Sequence, residues 1–132
     1  MKTISTTIQE YNTAQVENIA EICTFLERAI SKNLKKSESK IWHGTPVWFI
    51  EGNPVVSYSV RKTAKVSLMF FSGQSFKEDM LRPEGKFKAA EIFYTRVNEI
   101  KVTHLKRWLK LAKTIQWDYK NIIKRKGVLI RI

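Results

Sequence analysis

Between Pro46 and Phe71 the chain lays down three short apolar or alternating runs, with very little between them. The runs are Pro46 to Ile50, Val55 to Val60 and Lys65 to Phe71, and the links are Glu51-Gly52-Asn53-Pro54 and Arg61 to Thr63. This spacing constrains the fold more than any other feature, because joining parallel strands takes a crossover of about a dozen residues or more. The runs therefore form an antiparallel meander. In the second, Val56, Tyr58 and Val60 alternate with Val55, Ser57 and Ser59; in the third, Val66, Leu68 and Phe70 alternate with Ser67, Met69 and Phe71. One face of the sheet is thus more uniformly apolar than the other.

Helical periodicity flanks the meander. Asn12 or Thr13 can cap a helix, with Gln15 in capping-box register to Asn12, and Ile19, Ile22, Cys23, Leu26 and Ile30 then recur at threes and fours. This predicts a helix from about Ala14 to Leu34. Lys35 to Lys40, all charge and serine, reads as the loop that ends it. Ser72 to Lys88, with Gly73, Pro83 and Gly85, reads as mostly loop with a short helical turn near Phe76 to Leu81, and Ala90 to Arg96 resumes alternation as a further strand. Last comes a stripe of Leu105, Trp108, Leu109, Ala112, Ile115, Tyr119, Ile122 and Ile123, with Thr103 as its N-cap and Gly127 after Lys124-Arg125-Lys126 as its C-terminal stop. Val128 to Ile132 reads as an edge strand or an ordered tail. The order implies one α+β domain over 1–132: a two-layer sandwich, an antiparallel β-sheet with an N-terminal and a long C-terminal helix on one face.

Charge is the abnormal bulk quantity. The chain carries 24 Lys and Arg against 12 Asp and Glu, a net +12, and most of the excess lies beyond residue 100, where ten basic side chains face Asp118 alone. No stretch approaches the roughly 20 apolar residues that cross a bilayer, and Met1 to Glu10 lacks the pattern of a secretory leader. The single cysteine, Cys23, sits on an apolar helix stripe, where a free thiol behaves as a small hydrophobe. A reducing, cytoplasmic setting is expected.

Ile41-Trp42-His43-Gly44-Thr45-Pro46-Val47-Trp48-Phe49, followed by Gly52-Asn53-Pro54-Val55-Val56, resembles the YdhG-like family of small bacterial proteins, mostly of unknown function. The likeness runs from about Ala14 to Gly127. It continues through Gly85-Lys86-Phe87-Lys88, Lys106-Arg107-Trp108-Leu109 and Ile115-Gln116-Trp117-Asp118-Tyr119-Lys120-Asn121-Ile122. The resemblance implies an α+β domain of frataxin-like outline and, through one relative described as an intracellular iron chaperone, iron as a cargo. Iron binding of that kind uses clustered carboxylates. Here the first helix offers Glu17 and Glu21 one turn apart, with Glu10 before and Glu27 beyond, among Arg28 and Lys32 and in a strongly positive field.

Trp42-His43-Gly44-Thr45-Pro46 is the most distinctive local sequence. Trp42 and His43 can line a pocket mouth, with Trp48 and Tyr58 as aromatic walls for a flat or cationic ligand. Equally, Gly44 and Pro46 can do no more than shape a turn into the sheet while the tryptophans fill the core. His43 and His104 have no second ligand at metal-binding spacing, so a closed zinc site is not expected. No nucleophile elbow, Gly-rich phosphate loop or paired acids in an apolar context points to catalysis. Lys106, Arg107, Lys110, Lys113 and Lys120 form a basic helical face suited to phosphates, an anionic membrane or an acidic protein, although no nucleic-acid-binding motif accompanies it. The sequence thus reads as a non-enzymatic binding domain without a required cofactor, its ligand site around Trp42, His43 and Trp48. The alternatives are a frataxin-like iron-binding chaperone and a polyanion binder.

Overall fold

The computed structural model describes residues 7–62 and 64–132. The reading of Met1 to Glu10 as no leader therefore lies largely outside the described residues, as does Thr63 in the expected turn. The elements are α1 (Ile8–Thr13), α2 (Glu17–Asn33), β1 (Glu38–Trp42), β2 (Thr45–Ile50), β3 (Asn53–Arg61), β4 (Lys65–Phe70), β5 (Arg82–Pro83), β6 (Ala90–Tyr94) and α3 (Val102–Thr114), with single 3-10 turns at Gly73–Phe76, Val97–Glu99 and Tyr119–Asn121. All strands pair antiparallel in one open sheet of order β1-β2-β3-β4-β6-β5.

The meander forms where the sequence places it, and the strand before it joins by the same kind of short link, too short for anything but antiparallel pairing. His43-Gly44 (φ 52° and 82°) joins β1 to β2, and Glu51-Gly52 (φ 50° and 81°) joins β2 to β3. Two consecutive residues at positive φ match the right-handed twist of the flanking strands, and glycine takes the second of these positions without strain. The cleaner face of the sheet, with Trp48, Val56, Tyr58, Val66, Leu68, Phe70, Ala90 and Tyr94, is buried. It meets Ile19, Ile22, Cys23, Leu26 and Ile30 of α2 and Leu105, Trp108, Leu109 and Ala112 of α3 in one core. Burial pushes the Cys23 thiol up to about 12, which leaves it neutral and apolar in character. On the opposite face Glu91 is buried as well, held by Ser67 Oγ at 2.6 Å and Arg61 Nη2 at 3.2 Å.

Three local expectations need correction. First, the expected helix forms as α2 but starts after the extended Val16, and a short helix not foreseen, α1, precedes it, capped by Thr7, whose side chain accepts from Glu10 N. Asn12 cannot cap α2 because its side chain is spent inside the protein, accepting from Tyr58 Oη at 2.6 Å and donating to Glu27 Oε1 at 2.9 Å. Second, the expected loop of Lys35 to Lys40 already contains the first three residues of β1, an edge strand with no apolar alternation to reveal it. Third, α3 is capped at Lys101 rather than Thr103 and stops at Thr114, well short of Lys126. Ile115 is extended, and Gln116 to Asp118 make tertiary bonds in place of helical ones. Trp117 N donates to Ser72 Oγ at 2.9 Å, Asn53 Nδ2 donates to Trp117 O at 3.0 Å, and Asp118 N donates to Ile130 O at 2.7 Å. Gly127 (φ 89°) still ends a helical turn, donating to Ile122 O, but that turn is separate from α3. Val128 to Ile132 takes the second of its two expected forms, an ordered tail: Arg131 bridges to Trp117, and Ile132 N donates to Gln116 O.

Candidate functional site

The hairpin that carries the family-like motif splits its residues between the two faces of the sheet. Trp42 pairs with Thr45, and Ser39 with Trp48. Side chains alternate along a strand, so Trp42 lies on the open face and Trp48 on the helix face. Trp42 is 36% exposed, with its ring 4.2 Å from His43 and 5.5 Å from Phe49, centroid to centroid. His43 and Gly44 are exposed at the hairpin tip, and Pro46 is buried behind them. Trp48 and Tyr58 are buried under α1 and α2, where Trp48 Nε1 donates to Ser31 Oγ at 3.2 Å and Tyr58 Oη donates to Asn12. Desolvation raises the Tyr58 phenol far above its usual range, so it acts only as a neutral donor. These six residues do not converge on one concavity: four shape or decorate the tip, and two are core.

Glu17 and Glu21 are exposed on α2. Glu27 is bonded to Asn12 and Glu10 to Thr7, so the ridge of four acids reduces to two. Among the described residues no three His, Cys, Asp or Glu side chains gather in a way that could hold a metal ion.

The basic face is likewise redistributed by the early end of α3. Arg107 is committed to Glu78, with Nη2 to Oε1 at 2.5 Å, and Trp108 Nε1 donates to the same carboxylate at 2.8 Å. Both hydrogen bonds pull the Glu78 carboxyl below the usual carboxylate range. Lys120 lies off the helix and donates from Nζ to Glu51 O at 2.9 Å, clasping the β2–β3 turn. Arg125 is paired with Asp118. Of the five expected anion-binding residues, Lys106, Lys110 and Lys113 stay on α3 without an ion-pair partner among the described residues. His104, half-buried, lies against Trp108.

A cleft of about 700 Å3 lies between α2 and the start of α3. Residues from Glu17 to Asn33 line it, so it runs the length of α2, about 24 Å at 1.5 Å per residue. Ala20, Phe25 and Ala29 of α2 meet Val97, Val102 and Leu105 across it, giving apolar walls. Arg28 and Lys32 stand toward one end, Glu17 and Glu21 toward the other, and Lys106 stands opposite on α3. None of these five side chains has a hydrogen-bond or ion-pair partner among the described residues. Phe25 and Ala29 each precede a core residue, Leu26 and Ile30. The doubled apolar positions, wider than one core-facing stripe needs, are the sequence signal for this second surface.

No family model and no curated protein matches the sequence. A search of solved structures finds YdhG of Bacillus subtilis, a protein of the DUF1801 family, at TM-score 0.61 and 13% identity over 91% of each chain. This chain has the YdhG fold. The likeness to YdhG bears out the α+β architecture expected from the sequence. At 13% identity it speaks for the fold alone, so the site has to be argued from the residues of this chain. No helix among the described residues is long and apolar enough to cross a membrane.

Proposed function

We propose that this protein is a non-catalytic binding domain of YdhG type that takes a small ligand with an apolar body and an anionic group in the α2–α3 cleft. One observation carries the reading: an apolar-walled cleft of about 700 Å3, within the size range of small-molecule sites, has unpaired Arg28, Lys32 and Lys106 at its rim. The apolar walls supply the driving force through burial of ligand surface. The cations fix orientation, and Glu17 and Glu21 repel an anion from the other end, so the charged group lies toward Arg28 and Lys32. The Trp42–His43 tip is left as a structural hairpin. Iron is not favoured as a cargo, since Glu17 and Glu21 lack a third ligand and share their cleft with three cations.

Calorimetry and thermal melts with decanoate, below its micellar concentration, test the reading. Saturable binding at one site and a raised Tm are expected, with little response to decylamine, which has the same chain and the opposite charge. Ala29→Trp, which fills the cleft, and Arg28→Glu should each abolish the decanoate response. Equal responses to decanoate and decylamine, or full binding by a folded Ala29→Trp protein, would overturn it.

A further inference from the structure

A second concavity, of about 510 Å3, opens where α2 ends, and it differs from the first in kind. Its lining brings Lys32 from the last turn of α2, and Lys35 and Lys36 from just beyond it, together with Lys113 from the last turn of α3, and contains no carboxylate. None of the four ammonium groups has an ion-pair or hydrogen-bond partner among the described residues. The neutral polar side chains are already used: Asn33 Nδ2 donates to Ala29 O at 2.7 Å, and Ser37 Oγ donates to Leu34 O at 2.5 Å. The cleft therefore offers four free positive point charges beside the apolar Leu34 and Ile50, and no further polar side chain that is not already bonded.

Helix dipoles explain part of this arrangement. Lys32 and Lys113 lie in the last turns of α2 and α3, where a cation complements the negative end of the helix. Lys35 and Lys36 lie beyond α2, so that account does not reach them. Four like charges around one concavity repel one another, and elsewhere in this protein Arg61, Arg107 and Arg125 each have a carboxylate partner. A ligand of high negative charge density would relieve the repulsion. No aromatic ring lines the cleft to stack a base, and no arginine fork is present to read a planar group. We propose that this cleft is a binding site for a linear oligophosphate, recognised by charge density rather than by a base or sugar.

The probe is inorganic tripolyphosphate, titrated into the full chain by calorimetry at low and moderate NaCl without divalent cations. One saturable site that weakens with salt is expected. Lys35→Glu with Lys36→Glu, or Lys113→Glu alone, should weaken binding by about tenfold or more, since each reversal replaces an attraction with a repulsion. Lys110→Glu, which changes the net charge as much as Lys113→Glu but does not line the cleft, should leave affinity within about twofold. Because Lys32 borders both clefts, Ala29→Trp provides the separation: it blocks the first cleft and should leave tripolyphosphate binding intact. Equal losses from Lys110→Glu and Lys113→Glu would mean that the overall field, and no built site, attracts the anion. A single-stranded oligonucleotide binding more tightly than tripolyphosphate at equal phosphate would overturn the assignment in favour of a nucleic-acid surface.

Discussion

At residues 42 and 48 the same side chain serves opposite sides of one sheet. Trp48 fills the core beneath α2, while Trp42 shields Phe49 on the open face, where Lys40 Nζ also lies 5.1 Å from the Phe49 ring. Neither role needs a ligand. His43 and Gly44 follow the same logic: both stand at positive φ in a two-residue turn, and no atom beyond the chain neighbours lies within 4 Å of a Cβ added at Gly44. Gly44→Ala should therefore cost about 1 kcal/mol through backbone conformation alone. His43→Asn, which creates the pair most favoured in such turns, should keep or raise the unfolding midpoint. Urea denaturation reads both outcomes. A stability loss of similar size in His43→Asn would show that the imidazole contributes something beyond the turn.

Among the elements, α3 separates what periodicity reveals from what it hides. Leu105, Trp108, Leu109 and Ala112 are core, as their spacing says, but Ile123, which continues the same stripe on paper, is 88% exposed. Leu109→Ala should therefore cost about 2–5 kcal/mol through cavity formation, whereas Ile123→Ala should stay within about 0.5 kcal/mol. Comparable losses from the two would mean that the long helix forms after all. The meander, the strand at Ala90, both core stripes and the two-layer order were legible because each rests on local period or loop length. The end of α3 was not, since it is decided by bonds from Ser72 and Asn53, residues more than 40 positions away in sequence. Nor was β1, which as an edge strand carries Glu38, Ser39 and Lys40 with no apolar alternation. Of the site, the local residues were visible and their convergence was not. Lys32 reads as part of a helix, and Lys35 and Lys36 as the loop after it, until Lys113 is brought beside them.

Across the whole molecule, three carboxylates clasp segments of a chain whose net charge is +12. Arg107 and Trp108 hold Glu78 low and tie the 77–81 loop to α3. Asn121 and Arg125 hold Asp118 low and close the C-terminal turn, and the backbone N–H groups of Thr95 and Arg96 hold Glu99 low. A carboxyl whose pKa is lower in the folded than in the unfolded protein takes up protons preferentially on unfolding. Its stabilisation is complete above the ordinary carboxylate pKa of about 4 and drains away as pH falls through the lower, folded value. Stability should thus decline on acidification below about pH 4, aggravated as neutralised acids leave 24 Lys and Arg repelling one another. Glu78→Gln isolates one clasp, because the amide oxygen can still accept from Trp108 but neither carries charge nor titrates. The variant should be less stable than the natural chain at neutral pH and converge with it in acid, once Glu78 is protonated in both. NaCl should lift the acid limbs of both proteins together by screening the common excess of lysines, so the difference between the two curves belongs to Glu78. Curves that stay parallel down to the lowest pH would place the loss in packing rather than in the charge, and would remove Glu78–Arg107 from the interactions that hold the loop to the helix.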